Sequence, residues 1–96
     1  MIIKEQQKIN RDIWYEALLS GKYKQCRYSL HNTTDGHCCL GVADLLFDND
    51  ERYYRIIKQL AISDFKKITK LNDDLKMSFD EIANLLKNNE AEYFDL

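Results

Sequence analysis

Apolar residues recur at helical spacing along most of the chain, and residues 23–40 break that pattern. Residues 10–21 predict a first helix, because their apolar positions are three or four residues apart. These positions are Ile13, Trp14, Ala17 and Leu18. We expect Asn10 to cap this helix and Gly21 to end it in the left-handed conformation. Residues 1–9 are polar and predict an irregular lead-in.

Residues 23–40 predict a β-hairpin. Tyr28 and Leu30 alternate with polar neighbours, which is typical of a strand. The next six residues, His-Asn-Thr-Thr-Asp-Gly at 31–36, have the composition of a turn, and Asp-Gly is a strong local turn signal. Residues 37–40 would then form the returning strand.

Residues 41–88 return to helical spacing. We expect Gly41 to open a helix, residues 51–61 to form another, and Ser63 to cap a third. The sequence Ser-Phe-Asp-Glu at 78–81 is a capping box, in which a serine and a glutamate each bond to the other's backbone amide. This capping box predicts a last helix that begins after Ser78 and ends at about residue 88.

The chain has 96 residues, which predicts a single domain over 1–96 with residues 89–96 as a tail. Its class is α+β, mainly helical (four to five helices), with one β-hairpin. Apolar residues make up 45% and charged residues 31%, which argues against disorder. No apolar run approaches the length of a membrane span, and the start lacks the features of a signal peptide. We therefore expect a cytoplasmic protein that does not contact a membrane.

The net charge of −2 gives no support for binding to duplex DNA, which requires a strongly basic surface. The charge is unevenly distributed, however. Residues 1–28 carry six basic and three acidic side chains, whereas residues 80–96 carry one basic and five acidic side chains. Two solvated faces would explain this pattern, and so would head-to-tail homo-oligomers.

Cysteine and histidine residues cluster in the predicted hairpin. The cluster consists of Cys26, His31, His37, Cys38 and Cys39. Adjacent cysteines on a strand point to opposite faces, so the spacing suits a tetrahedral zinc site poorly. An odd number of cysteines also argues against a disulfide framework. We expect reduced, buried thiols and neither a metal nor a cofactor. A zinc- or thiol-dependent enzyme remains an alternative.

The stretch from Lys22 to Tyr28 has chemistry that suits a nucleotide-like anion. Lysine and arginine can neutralise phosphate, tyrosine can stack on a base, and glutamine can bond to a base edge. We call this stretch the basic-aromatic strip, and its candidate ligand-binding residues are Lys22, Tyr23, Lys24, Gln25, Arg27 and Tyr28. Asn72 and Asp73 are a second candidate group, as the polar wall of a pocket. An edge strand with solvated charges and a plain helix end would explain the same residues.

Three motifs resemble a family of short phage and prophage proteins. The first is W-x3-L-x-S-G-x-Y-x-Q at 14–25, the second is C-C-L-G-V at 38–42, and the third is N-D at 72–73 followed by S-F-D-E-I-A at 78–83. The chain differs from the family pattern beside Arg27, where that family often has glycines. The resemblance implies an accessory protein encoded by a virus or prophage, without an established enzymatic activity.

The resemblance and the basic-aromatic strip together predict a non-enzymatic protein that counters a host defence. In the most concrete form, it sequesters a nucleotide-derived signal, such as a cyclic ADP-ribose-like molecule or a cyclic oligonucleotide. The alternative is an inhibitor that binds a host protein, such as a defence or nucleic-acid enzyme, through exposed aromatic residues. Candidates for that surface are Tyr53, Tyr54, Tyr93 and Phe94.

Overall fold

The computed structural model describes residues 2–47 and 53–96. Within these residues the chain forms six helices and one two-stranded parallel sheet, which confirms the mainly helical α+β class. The elements are α1 (Lys4–Leu19), β1 (Lys24–Gln25), β2 (Gly36–His37), α2 (Cys39–Phe47), α3 (Tyr53–Leu60), α4 (Phe65–Asp73), α5 (Phe79–Asn88) and α6 (Glu90–Tyr93).

Helix α1 begins earlier than its apolar spacing indicated, so the prediction of an irregular lead-in over 1–9 was wrong. The helix starts at Lys4 because lysine, glutamate and glutamine are good helix formers and extend it by propensity. Gly21 follows the helix with φ +75°, which confirms the predicted left-handed residue at its end.

Asn10 is a buried helical residue, and its predicted role as an N-cap was wrong. Its side-chain amide donates to the backbone carbonyl of Gln59 at 2.9 Å, at the end of α3. Its carbonyl oxygen accepts from Gln6 at 2.9 Å. The side chain therefore ties α1 to α3, and the sequence alone gave no sign of a partner 49 positions away.

The predicted hairpin is replaced by a parallel pairing of β1 with β2, in which Gln25 is opposite His37. The predicted turn does form, but only one antiparallel bridge, His31 to His37, closes it. Two features stop a longer antiparallel ladder. Tyr28 has φ +67°, which breaks the extended strand before the turn, and Cys39 already begins α2 after it.

Helix α2 starts at Cys39, two residues before the glycine that was expected to open it. Gly41 is needed for another reason. A Cβ atom at this position would lie 2.0 Å from the backbone oxygen of Leu30, so the loop can approach α2 closely only where the helix has no side chain. The predicted strand over 37–40 is correspondingly confined to His37.

The later helices follow local signals closely. Ser78 and Glu81 form the predicted capping box at the start of α5, with both hydrogen bonds present. Asp64 rather than Ser63 caps α4, since its carboxylate accepts from the amide of Lys66 at 3.0 Å. Residue 51, the start of the helix expected over 51–61, lies outside the described residues.

The core lies between α1 and the helices around it. Trp14 and Tyr15 on α1 are almost wholly buried, and the indole of Trp14 donates to the carbonyl of Cys39 at 2.8 Å. The segment 89–96, expected as a plain tail, contains α6 and returns to the core through the buried Phe94. Glu90 fixes this return, because it accepts hydrogen bonds from the side chains of Arg11 and Tyr15.

Across the part of the chain that the structure describes, no helix has both the length and the apolar character required to cross a bilayer.

Candidate functional site

The structure brings the two predicted polar segments together at the C-terminal end of α4. Asn72 is fully buried there. Its side-chain oxygen accepts from the side chain of Gln25 at 2.8 Å and from the backbone amide of Cys39 at 3.2 Å. Its side-chain nitrogen donates to the carbonyl of Cys26 at 2.8 Å. Asn72 therefore joins the basic-aromatic strip, α2 and α4, and none of these bonds is directed at a ligand.

Gln25 and Arg27 are also engaged internally. The second bond of the Gln25 amide goes to the carbonyl of Met77 at 2.8 Å. The guanidinium of Arg27 donates to the backbone carbonyls of Asn72 and Lys76. These carbonyls belong to the end of α4 and the turn after it, where a helix leaves acceptors without backbone partners. In the structure, the side-chain donors of Gln25 and Arg27 are thus bonded within the fold, and those of Arg27 cap the end of α4.

Tyr28 differs from these residues because its side chain points into solvent. The side chain is 69% exposed, and only its backbone amide is held, by the carboxylate of Asp73 at 2.8 Å. The positive φ of Tyr28 is a conformation that costs a residue with a side chain about 1–2 kcal/mol. Strain of this kind often marks a functional position.

An open cleft of about 320 Å³ lies beside Tyr28. Its other lining residues all come from α4 and the residue after it: Lys66, Thr69, Lys70, Asp73 and Asp74. The two lysines are one helical turn apart and the two aspartates follow them, so positive charge is at one end of the cleft and negative charge at the other. We call this site the Tyr28 cleft.

The lysines of the Tyr28 cleft are available for a ligand. Lys66 and Lys70 form no ion pair with any residue in 2–47 or 53–96. By contrast, Lys67 on the same helix donates to the carbonyl of Glu92 and lies over the ring of Tyr93. Only the side chain of Lys67 among these three is therefore used by the fold.

The rest of the basic-aromatic strip lies outside this cleft. Lys22 and Lys24 are exposed, and Tyr23 is half-buried with its ring edge against the ring of His37. The strip thus contains two exposed lysines, two side chains that bond within the fold (Gln25 and Arg27), and the outward ring of Tyr28. It does not form a continuous cationic surface.

A chain of three titratable side chains lies on the other side of the loop. Nδ1 of His31 is 2.7 Å from Nδ1 of His37, and Nε2 of His31 is 2.8 Å from a carboxylate oxygen of Asp44. Asp44 is completely buried. The sequence offered one signal for this chain, namely two histidines on either side of a predicted turn.

The cysteines have the properties of core thiols. Burial raises the pKa of the Cys38 thiol to about 11 and that of Cys39 well above its usual value of 9.0. Both thiols are therefore protonated at neutral pH, whereas a nucleophilic or metal-binding cysteine acts as the thiolate. Among the residues that the structure describes, no three histidine, cysteine or acidic side chains are grouped to hold a metal ion.

Of the aromatic residues proposed for a protein-binding surface, the three whose side chains the structure describes do not form one exposed patch. Phe94 is buried in the core, and Tyr93 is half-buried under Lys67. Tyr54 is exposed. The side chain of Tyr53 lies outside the described part of the chain.

Residues 5–64 match the family model described as Domain of unknown function (DUF8296). The match covers more than half of the 96 residues. The chain belongs to the DUF8296 family. No curated protein and no solved structure matches it. The DUF8296 match includes α1, the loop with Tyr28, and the His31–His37–Asp44 chain, and it ends before α4 begins.

Proposed function

We propose that this DUF8296 protein is a non-enzymatic binding protein of phage or prophage origin that counters a host defence in the host cytoplasm. Its ligand is a small nucleotide-derived signal, bound in the Tyr28 cleft. The observation that carries this proposal is the outward ring of Tyr28 beside two lysines that form no ion pair within the described residues. The phage origin and the link to defence rest on the three sequence motifs.

The order of charges along the Tyr28 cleft supports a nucleotide over a simple anion. Stacking on an exposed tyrosine contributes about 1–3 kcal/mol per base and suits every base. The ammonium groups of Lys66 and Lys70 can donate charge-assisted hydrogen bonds to a phosphate at one end. Asp74 at the other end can accept hydrogen bonds from ribose hydroxyls or an exocyclic amine. A ligand with an anionic group at one end and hydrogen-bond donors at the other is complementary to this arrangement.

The size of the cleft limits what one copy of the chain can hold. Ligand sites usually measure about 300–1,000 Å³, and the Tyr28 cleft, at about 320 Å³, is at the lower end of that range. It is large enough for one base with its ribose and phosphate. A cyclic oligonucleotide would extend beyond it, and a second copy of the chain would then have to cover the open side.

Titration calorimetry of the full chain at neutral pH tests the proposal. The probes are AMP, ADP-ribose, cyclic ADP-ribose and cyclic di-AMP, with adenosine and ribose 5-phosphate as controls that lack the phosphate or the base. We expect at least one nucleotide to bind more tightly than both controls. Absence of heat with all four probes at about 1 mM would overturn the nucleotide proposal.

Matched variants locate the site. Tyr28→Ala should weaken binding by about fivefold or more, since it removes the stacking contribution. Tyr28→Phe should retain binding, because the ring is kept. Tyr54→Ala is the control, as Tyr54 is also an exposed tyrosine, with 55% exposure, but lies on α3. Equal effects of the two alanine variants would exclude the Tyr28 cleft as the binding site.

A host protein as the partner is the second candidate. It is favoured by the open form of the cleft and by Leu75, which is 58% exposed just after α4, because an outward tyrosine and leucine are suitable anchors for a protein interface. A pull-down from host lysate with the wild-type chain and the Tyr28→Ala variant distinguishes the two. A stoichiometric protein lost with Tyr28→Ala supports an inhibitor, whereas a co-purified nucleotide supports the signal-binding function.

A further inference from the structure

The chain has only two histidines, and they bond to each other. His31 belongs to the turn and His37 to β2, so the contact closes the turn over 31–37, three residues after Tyr28. The buried carboxylate of Asp44 on α2 holds the far side of the His31 ring. Histidine is the side chain whose charge ordinarily changes between about pH 5 and 8, and here both histidines are in one hydrogen-bonded chain.

The geometry limits how many protons this pair can hold. With both rings neutral, His31 donates to Asp44 through Nε2, and its Nδ1 accepts from Nδ1 of His37. One added proton is tolerated, because His31 can then donate at both nitrogens while Nδ1 of His37 accepts. A second proton places an N–H on each Nδ1, so two donors and two positive charges face each other across 2.7 Å. The contact cannot persist in that state.

We propose that His31, His37 and Asp44 form a proton-sensitive latch, which holds loop 26–38 closed until both imidazoles are protonated. The latch acts on backbone hydrogen bonds between the two sides of the loop. The amide of Asn32 donates to the carbonyl of Gly36 at 2.9 Å, and the amide of Cys38 donates to that of Leu30 at 3.0 Å. These bonds lie on either side of the histidine contact, so loss of the contact exposes both to water.

The surroundings of His37 favour its neutral form. Burial lowers the pKa of His37 below its usual value of 6.5, the charge of His31 lowers it further, and the carboxylate of Asp35 opposes both effects. The other titratable groups next to the pair or on the elements that pack against it are Tyr23 and Lys24 from the β1 side, Cys38 beside β2, and Cys39 and Asp44 on α2.

The sign of the pH effect follows from this lowered pKa. In the open loop His37 takes up its proton near its usual value, whereas in the closed loop it does so only at lower pH. The closed loop is therefore fully stable above about pH 6.5 and loses stability as the pH falls below it. One extra proton in the open state corresponds to a change of about tenfold in the closing equilibrium per pH unit.

Amide hydrogen exchange of the full chain, measured by NMR between pH 7.5 and 5, tests the latch. Exchange rates are expressed as protection factors, so that the intrinsic pH dependence of exchange cancels. The amides of Asn32 and Cys38 should lose protection by up to about tenfold per pH unit below pH 6.5. The amides of Ile82 and Leu86 in α5 should keep theirs. Uniform loss in both groups, or no loss in the loop, would overturn the proposal.

His37→Gln is the decisive variant. The glutamine amide can donate to or accept from His31 but does not take up a proton in this pH range. We expect the loop amides of this variant to show the same protection at pH 5.5 as at pH 7.5. A pH dependence equal to that of the wild type would refute the latch. Nitrogen-15 shifts of both imidazoles in the wild-type chain provide a second readout, and two independent titrations near pH 6.5 would also refute it.

A consequence for ligand binding rests on the proposed function, because Tyr28 lies in loop 26–38. AMP affinity should fall more steeply from pH 7.5 to 5.5 in the wild type than in His37→Gln, where only the phosphate of AMP takes up a proton in this range. The exchange experiment contains no nucleotide. If loop protection depends on pH but AMP does not bind, only the proposal of AMP as a ligand fails. If AMP binds but loop protection does not depend on pH, only the latch proposal fails.

Discussion

Asn72→Ala should strongly destabilise this protein, although it changes no residue of the apolar core. The side chain of Asn72 is fully buried and joins three parts of the chain through the carbonyl of Cys26, the amide of Cys39 and the side chain of Gln25. A buried polar group that loses its partner costs about 1–3 kcal/mol. The amide of Cys39 and the carbonyl of Cys26 would both lose this bond, whereas Gln25 keeps the carbonyl of Met77.

The two unsatisfied backbone groups together cost about 2–6 kcal/mol, and a cavity larger than a methyl group adds about 1 kcal/mol. We expect a loss of about 3–5 kcal/mol in the free energy of unfolding, since partial relaxation reduces the sum. For a domain with a typical stability of about 5–15 kcal/mol, this is a large fraction.

Urea unfolding followed by tryptophan fluorescence measures this loss. Trp14 is the only tryptophan in the chain, and its indole donates to the carbonyl of Cys39, whose amide bonds to Asn72. Asn84→Ala is the matched control, because it removes the same side chain from the exposed face of α5. We expect the control to alter stability by about 0.5 kcal/mol or less. A loss below about 1 kcal/mol for Asn72→Ala would refute the central role of this side chain.

Three further outcomes follow from single contacts, each measured by urea unfolding. Gly41→Ala should cost about 1–3 kcal/mol or more, because the new methyl group has no room beside the backbone oxygen of Leu30; unchanged stability would contradict that close approach. Ser78→Ala should cost about 1 kcal/mol through loss of the capping box, whereas Ser78→Thr should cost less. Burial alone would raise the pKa of Glu90, but the hydrogen bonds that it accepts from α1 outweigh burial and hold this pKa below 4.5. The stability that the ionised Glu90 contributes is therefore present above pH 4.5 and is lost in stronger acid. Glu90→Gln should reduce stability at pH 7 and flatten its fall between pH 5 and 3; an unchanged slope would contradict the role of Glu90.

Two signals confined to a few residues gave correct predictions. The capping box at Ser78 is complete within four residues, and the left-handed Gly21 follows directly from the end of a helix. Asn10 shows where such reasoning stops. An asparagine before an apolar helical stretch has the pattern of a cap, and its burial depends on a carbonyl of Gln59 that is distant in sequence. The burial of Asp44 could not be predicted for the same reason, since its partner His31 belongs to a different part of the chain.

The sequence also could not show in which direction the side chains of the basic-aromatic strip point. Glutamine and arginine have the same donors whether they face a ligand or the end of a helix. The end of α4 determines where the Arg27 side chain points, because the carbonyls there lack backbone partners and accept hydrogen bonds from its guanidinium. The two separate groups of candidate residues lie together in the structure, where Gln25 bonds to Asn72 and the backbone amide of Tyr28 bonds to Asp73.

The shortness of the sheet explains why so many polar side chains are turned inward. Each strand has two residues, so the backbone of the long connection between them finds few partners in regular structure. Side chains must supply the remaining hydrogen bonds, and Asn32 and Asn72 do so for the amide of Gly36 and the carbonyl of Cys26. The ring of Tyr28 has no such task, yet its backbone is held in a costly conformation that keeps the ring in solvent. A surface that the fold maintains at a cost and does not use for its own stability is the best place to look for a partner.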